Sequence, residues 1–365
     1  MRLRHLSLRP FRNFDCIELD FAEGGAVIVG ANGCGKSNIL EAICYQSIGK
    51  SIRGARDQEA VPHGKGFFDI RGQWQQGERE HPCRVFYGSD EGKRVFLDAA
   101  PLPRVSDLIT HFQTVHFAPQ DVALVLQFSA QRRRLLDILL SQADIDYLKA
   151  LQAYQRLLTQ RNHFLRSLGH RGFDPAEREV WDAQLARPGA LLRHHRLRTL
   201  VEMLPDYQQY YNVFSTGQET AGLLYADQQL PTTALDVPAQ EELETLFRQQ
   251  LTDAFERERH AGHTLSGPHR DGFSFTLDGE AADTFGSQGQ QKSVLLSWKM
   301  AELRLLERRR GQQPLLLLDD VFSELDPERC THLIDIVDDF EQVILTAPRE
   351  PQEVLGERYA RIDLQ

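Results

Sequence analysis

Gly30-Ala31-Asn32-Gly33-Cys34-Gly35-Lys36-Ser37 meets every fixed position of the pattern G-x-x-x-x-G-K-[ST]. Its flanks give the right setting. Ala26-Val27-Ile28-Val29 is a short apolar run suited to a buried strand, and Ile39, Leu40, Ile43 and Cys44 recur at helical spacing. In such a strand-loop-helix the glycines let backbone N–H groups turn inward around phosphates, and the helix N-terminus adds partial positive charge. Lys36 supplies a mobile cation to the β- and γ-phosphates, and the Ser37 hydroxyl is placed to ligate Mg2+. The stretch predicts a nucleoside triphosphate site.

A loop of this kind needs a carboxylate partner on a neighbouring strand. Leu315-Leu316-Leu317-Leu318-Asp319-Asp320 is an apolar strand ending in two of them. Successive strand residues point to opposite faces, so the two are expected to divide the work. Asp319 is the expected Mg2+ partner, and Asp320 the group that orients or deprotonates the attacking water. Alone, two aspartates after a strand would more often cap a helix. The loop at 30–37 favours the catalytic reading.

Outward from these motifs the chain reads α/β, then mostly helical, then α/β again. The first 30 residues read as strand, turn, strand, strand, and 67–98 as a β-rich patch. Segments 130–169 and 176–214 carry apolar residues at helical spacing, with breaks at 169–175 and 187–189 where Gly and Pro cluster. A third helix is expected from about Gln240 to His260. Strand texture returns at 272–277, followed by a long helix from Gln288 to Arg310, a helix around 327–339 and a strand at 342–345. The expected organisation is an α/β lobe built from 1–122 and 262–365, with a helical lobe, 123–261, inserted into it.

Composition sets outer limits. The 365 residues are 41% apolar and 26% charged, with a net charge of −10, which argues against a wholesale polyanion coat. The acidity is uneven: residues 123–200 hold 13 Lys/Arg against 7 Asp/Glu, and 201–261 hold 3 against 11. The basic stretch reads as solvated helix faces or as a local polyanion site. No apolar run spans a membrane, no signal peptide is visible, and five scattered cysteines without C-x-x-C fit a reducing cytoplasm.

The two motifs lie about 285 residues apart, near opposite ends of the chain. This resembles the ABC-type ATPase head of chromosome-maintenance and double-strand-break-repair proteins. Ser287-Gln288-Gly289-Gln290-Gln291-Lys292 opens a long helix and resembles an ABC signature, although Ser followed by Gln three residues on is also a plain helix cap. Val321-Phe322-Ser323-Glu324-Leu325-Asp326 looks like a D-loop. Phe11-Arg12-Asn13-Phe14, Asn38-Ile39-Leu40-Glu41-Ala42, Ser266-Gly267-Pro268-His269-Arg270-Asp271 and Phe117-Ala118-Pro119-Gln120-Asp121 extend the match, and together they resemble the RecF family of bacterial DNA replication and repair proteins. Gln120 departs from that pattern, which has Glu there.

The resemblance implies an α/β fold: an ABC-type P-loop head with a β-rich subdomain as lobe I, and a mainly helical lobe II. It implies ATP and Mg2+ as cofactors, and an ATP-dependent homodimer in which Ser287, Gln288, Gly289 and Gln290 of one copy close over the loop of the other. Arg12 and Asn13 resemble positions that touch the nucleotide, or form a surface turn. Thr346 stands where transporter ATPases have a switch histidine. The implied function is an ATP-gated DNA clamp with weak, DNA-stimulated ATPase activity, acting on double-stranded, gapped or junction DNA with recombination mediators and a recombinase. Arg132, Arg133 and Arg134 are the DNA-contact candidates, or else intramolecular helix partners. A transporter subunit expects its signature about 100 residues after the loop, not about 250. A long-armed maintenance protein needs hundreds of heptad residues. A defence nuclease needs a metal-binding domain after the head.

Overall fold

The computed structural model describes residues 1–168, 174–215, 219–226, 228–348 and 358–364. The chain divides into two compact units: Met1–Val122 with Tyr210–Thr216 and Leu295–Gln365, and Ala123–Gln209 with Gly217–Val294. The second boundary differs from the expected 261/262. Residues 262–294 group with the second unit because strand Phe273–Leu277 pairs antiparallel with Ala221–Tyr225, Phe273 opposite Tyr225 and Leu277 opposite Ala221. That strand at 221–225 was not foreseen. With Gln228–Gln229 and Glu280–Ala281 it gives the second unit a four-stranded antiparallel sheet beside its helices.

The first unit holds two sheets. Its parallel sheet runs Ala360–Asp363, Gly25–Val29, Val343–Ala347, Leu315–Asp319, Thr114–Phe117. Every residue of the three central strands is buried, which explains their largely apolar sequence, interrupted by Asp319 and Thr346. Asp319 pairs with Thr346 and Thr346 with Ile28. The register thus brings Asp319, Thr346 and the start of the glycine loop to one carboxyl edge, where open α/β sheets place ligands.

The other sheet is antiparallel: Ile17–Asp20, Arg2–Leu8, Phe67–Gln76, Arg79–Gly88, Gly92–Leu97, Ala100–Pro101. The helix that follows the glycine loop, Lys36–Ile48, is buried on nearly every side. Its Tyr45 meets Phe11 and Phe68 edge to face at 5.7 and 5.4 Å, and its Gln46 accepts from Trp74 Nε1 at 2.8 Å. A helix covered all round has no single apolar stripe. It also cannot shift without disturbing the core, so the loop at its head has a fixed base.

Helices Ser129–Ala143, Ile145–Ser167 and Gln240–Ala261 belong to the second unit. Asp144 separates the first two and caps the second, accepting from Asp146 N at 2.8 Å. Pro175–Phe214 is one helix of 40 residues that runs through Pro188 and Pro205. The break expected at 187–189 is therefore absent. Gly189 serves close packing instead: a Cβ there would lie 2.4 Å from the Phe247 ring. The break expected at 169–175 lies largely outside the described residues. Two buried arginines of this unit have carboxylate partners, which offsets the cost of burying their charge. Arg161 meets Asp182 and Glu258 at 2.8 Å each, and Arg196 donates to Asp137, Tyr147 and the Pro268 carbonyl. Among the described residues no helix is long and apolar enough to cross a membrane.

Candidate functional site

The loop Gly30–Ser37 leaves the carboxyl end of strand Gly25–Val29 and enters its helix at Lys36. Gly33 and Gly35 adopt φ of +87° and +109°, backbone that L side chains rarely take. Gly35 is the tighter of the two, since a Cβ would sit 2.5 Å from Phe14 Cζ and 2.6 Å from Asn13 Oδ1. Asn13 in turn donates to the Cys34 carbonyl at 2.9 Å and accepts from Asn38 Nδ2 at 2.8 Å. Lys36 is buried, and its ammonium donates to the carbonyls of Gly30 and Ala31 at 2.7 and 3.0 Å. Ala31, Asn32 and Gly33 are exposed, so the cation lies inside a loop whose crown faces solvent.

Three strand ends meet beside it. Ser37 Oγ and Thr346 Oγ1 both donate to Asp319 Oδ1, at 2.8 and 2.7 Å, and Asp320 N donates to Thr346 Oγ1 at 2.9 Å. Asp319 is only 4% exposed. The strand ends there, and Asp320 takes left-handed backbone (φ 51°) rather than continuing the pleat. Asp tolerates that region better than most residues. Asp320 Oδ1 is buried with no hydrogen-bond partner among the described residues, an uncommitted acceptor at the edge of the site. On the neighbouring strand, burial holds the His116 imidazole below its ordinary range, against the pull of Asp121 and Asp319.

Arg12 does not present its charge as expected of a nucleotide contact. Its guanidinium forks onto Glu41 at 2.9 and 2.6 Å and donates to the Glu59 carbonyl at 2.8 Å. Glu41 is wholly buried, accepts from Ser51 Oγ and lies 3.6 Å from Arg53. Arg12 thus steadies the loop's helix through a partly buried ion pair. Sequence reasoning gave Glu41 no role, although a carboxylate between Leu40 and Ala42 on a buried helix calls for a cation.

In the second unit, the turn before helix Gln288–Arg310 closes on itself. Ser287 N donates to Gln290 Oε1 at 2.7 Å and Gln290 N to Ser287 Oγ at 3.3 Å, the reciprocal cap that the spacing allowed. Gln290 Nε2 also donates to Glu219. Ser287 and Gln288 are exposed, Gly289 and Gln290 partly so, and the neighbouring Phe285 is 70% exposed.

The arginine run divides. Arg132 is buried and donates to the carbonyls of Phe273, Val125 and Leu126, which removes it from the DNA-contact candidates. Arg133 is half-buried and donates to Ser129 Oγ and the Arg270 carbonyl, while Arg134 is half-buried. Gln120 lies exposed just before helix Asp121–Gln127.

Residues 2–364 match the family described as RecF/RecN/SMC N terminal domain. The DNA replication and repair protein RecF of Heliobacterium modesticaldum is 37% identical over 334 residues, covering 92% of this chain and 88% of that protein. RecF of Chloroherpeton thalassium is 34% identical over 343 residues, covering 92% and 91%. Among solved structures, the recombination mediator protein RecF-ATP of the RecFOR pathway superposes with a TM-score of 0.88 at 28% identity, covering 96% of this chain and 92% of that one. The corresponding RecF-ATPrS structure gives 0.87 at 29% identity, covering 98% and 94%. An SMC head bound to the C-winged helix domain of ScpA covers 96% and 90% at 15% identity and TM-score 0.52, a likeness of fold alone. The chain belongs to the RecF family.

Proposed function

We propose that the chain is an ATP-gated DNA clamp of recombinational repair. The observation that carries this reading is the joining of Ser37 and Asp319, 282 positions apart, by a hydrogen bond at the mouth of the glycine loop, with Thr346 on the same oxygen. Backbone N–H groups of 31–37 would hold the phosphates, with Lys36 turning from the loop carbonyls to the β- and γ-oxygens. Hard oxygen donors, the Ser37 hydroxyl and the Asp319 carboxylate, fit Mg2+. The chemistry expected of that ion is neutralisation of charge across the β- and γ-phosphates. Asp320, with its uncommitted buried oxygen, would orient the attacking water and take its proton. Asn13 and Gly35 hold the loop's shape, and Arg12 holds its helix.

The exposed turn Ser287–Gln290 would meet the γ-phosphate on a second copy, so ATP assembles a two-fold dimer and slow hydrolysis releases it. The relatives named for DNA replication and repair, and for a recombination mediator pathway, support DNA as the ligand and recombination as the setting. The clamp itself would take duplex or junction DNA, with mediators and a recombinase as partners. With a net charge of −10, DNA contact has to be local. Light scattering and DNA anisotropy on one sample, with and without ATP and Mg2+, test the gate. The expected result is a doubling of mass and tighter duplex binding only when both are present. A mass indifferent to ATP overturns the reading.

A further inference from the structure

The second unit carries a polar cavity of about 520 Å³ that the ATP reading leaves unused. Part of its wall is the turn at 266–274. There Arg270 N and Asp271 N both donate to the Gly267 carbonyl, at 2.7 and 3.1 Å. Gly267 has φ +128°, and a Cβ would lie 2.5 Å from the Phe247 ring and 2.6 Å from the Tyr154 hydroxyl, so the turn is fixed in place. Helix Gln240–Ala261 contributes Gln250, Asp253 and Arg257 to the same wall.

Arg132, Arg193, Arg257 and Arg270 line the cavity against Asp253 and Asp271. The buried arginines are spoken for. Arg132 donates to carbonyls, as above. Arg193 forks onto Asp271 at 2.6 and 3.1 Å, donates to Gln250 at 2.9 Å and lies over Phe247. Asp271 is thereby matched. Arg257 and Arg270 are exposed, and neither guanidinium has a hydrogen bond or ion pair among the described residues; the same holds for the hydroxyls of Ser266 and Ser274. Asp253 accepts from Gln249. Beside the cavity, burial pushes the Arg133 pKa down, with smaller pushes from Arg196 and Arg270 and opposing pulls from Asp137 and Asp271.

A guanidinium has only donors, and its fork matches paired oxyanions. Two such forks and two hydroxyls around a roomy polar cavity call for a tetrahedral anion rich in acceptors. We propose that this cavity binds a phosphate group, held by Arg257 and Arg270 with Ser266 and Ser274 donating beside them. On the clamp reading, which this deepens, the source is a phosphodiester of bound DNA; the other source is a free nucleotide or polyphosphate.

Two measurements on the full chain test it. The first titrates inorganic tripolyphosphate calorimetrically into the Lys36→Met protein, which silences the glycine loop, with and without Arg257→Gln/Arg270→Gln. The double variant should bind at least about tenfold more weakly. Asp253→Asn, which removes the one unmatched carboxylate, should bind about threefold more tightly, a gain that misfolding cannot produce. No binding by the parent, or equal binding by all three, overturns the proposal. The second measures labelled duplex by anisotropy across a salt series, with Lys36 intact and ATP and Mg2+ present. If the phosphate is a DNA phosphodiester, the double variant loses about tenfold and its salt slope falls by about 1 to 2. Loss of tripolyphosphate alone keeps the site and assigns it to free nucleotide or polyphosphate. Failure of the ATP gate leaves the first measurement unaffected, so the two readings fall separately.

Discussion

The helices that begin at Lys36 and at Gln288 both offer N–H groups at a first turn, yet they are held in opposite ways. The Lys36 turn is braced from outside itself, by Asn13, by Asp319 with Thr346, and by a helix locked through Glu41 and Arg12. The Gln288 turn is exposed and closed by its own Ser287–Gln290 cap, with Glu219 as its further support. The first is a finished cradle. The second keeps its shape without a ligand and leaves its crown open, as a surface that docks must. The contrast teaches that the same backbone dipole can serve as a resident pocket or as a lid brought by another molecule.

Lys36→Met should break the comparison most, lowering ATP affinity at least about a hundredfold and ending ATP-dependent dimerisation. Equilibrium dialysis with labelled ATP reads it; normal binding would remove the loop from the mechanism. Asp320→Asn should cut turnover about a hundredfold while leaving ATP bound, so a dimer accumulates with ATP in light scattering. Unchanged turnover would sink its role. Ser287→Arg should leave monomer ATP affinity alone and weaken dimerisation at least about tenfold, because a bulky cation then stands on the exposed crown. A normal ATP-dependent dimer refutes a docking role for that turn. The finest test is a matched pair. Asn13→Ala removes the brace on Cys34 and should weaken ATP about fivefold, near 1 kcal/mol. Gln290→Ala opens the cap at similar cost and should leave monomer ATP affinity unchanged. Equal effects in both would erase the distinction between cradle and lid.

What was legible in the sequence was local. Gly30–Ser37 shows itself because backbone chemistry fixes its residue types, and Asp319-Asp320 because an apolar run stops there. Thr346 stood out by its place after the last strand, but its hydrogen bond to Asp319 could not be read, since that depends on the register of two strands. Strand Ala221–Tyr225 is short and glycine-containing, and its partner begins at Phe273, so a local reading sees only texture. For Arg132 to Arg134 the sequence leaves both DNA contact and helix partnership open, and Arg132 takes the second role. A helix turns about 100° per residue, so three arginines in a row spread over about 200° and do not share one narrow face.

The Gly35 position carries a consequence for anyone moving this loop. Its backbone leaves no room beside Phe14 and Asn13, while Asn13 holds Cys34 and is held by Asn38. The octapeptide and the hairpin turn at 11–14 are therefore one part cut from two places in the chain. Grafted into another scaffold without that turn, residues 30–37 would keep their spelling and lose their curvature; relatives should show the two segments drifting together, each change in one answered in the other.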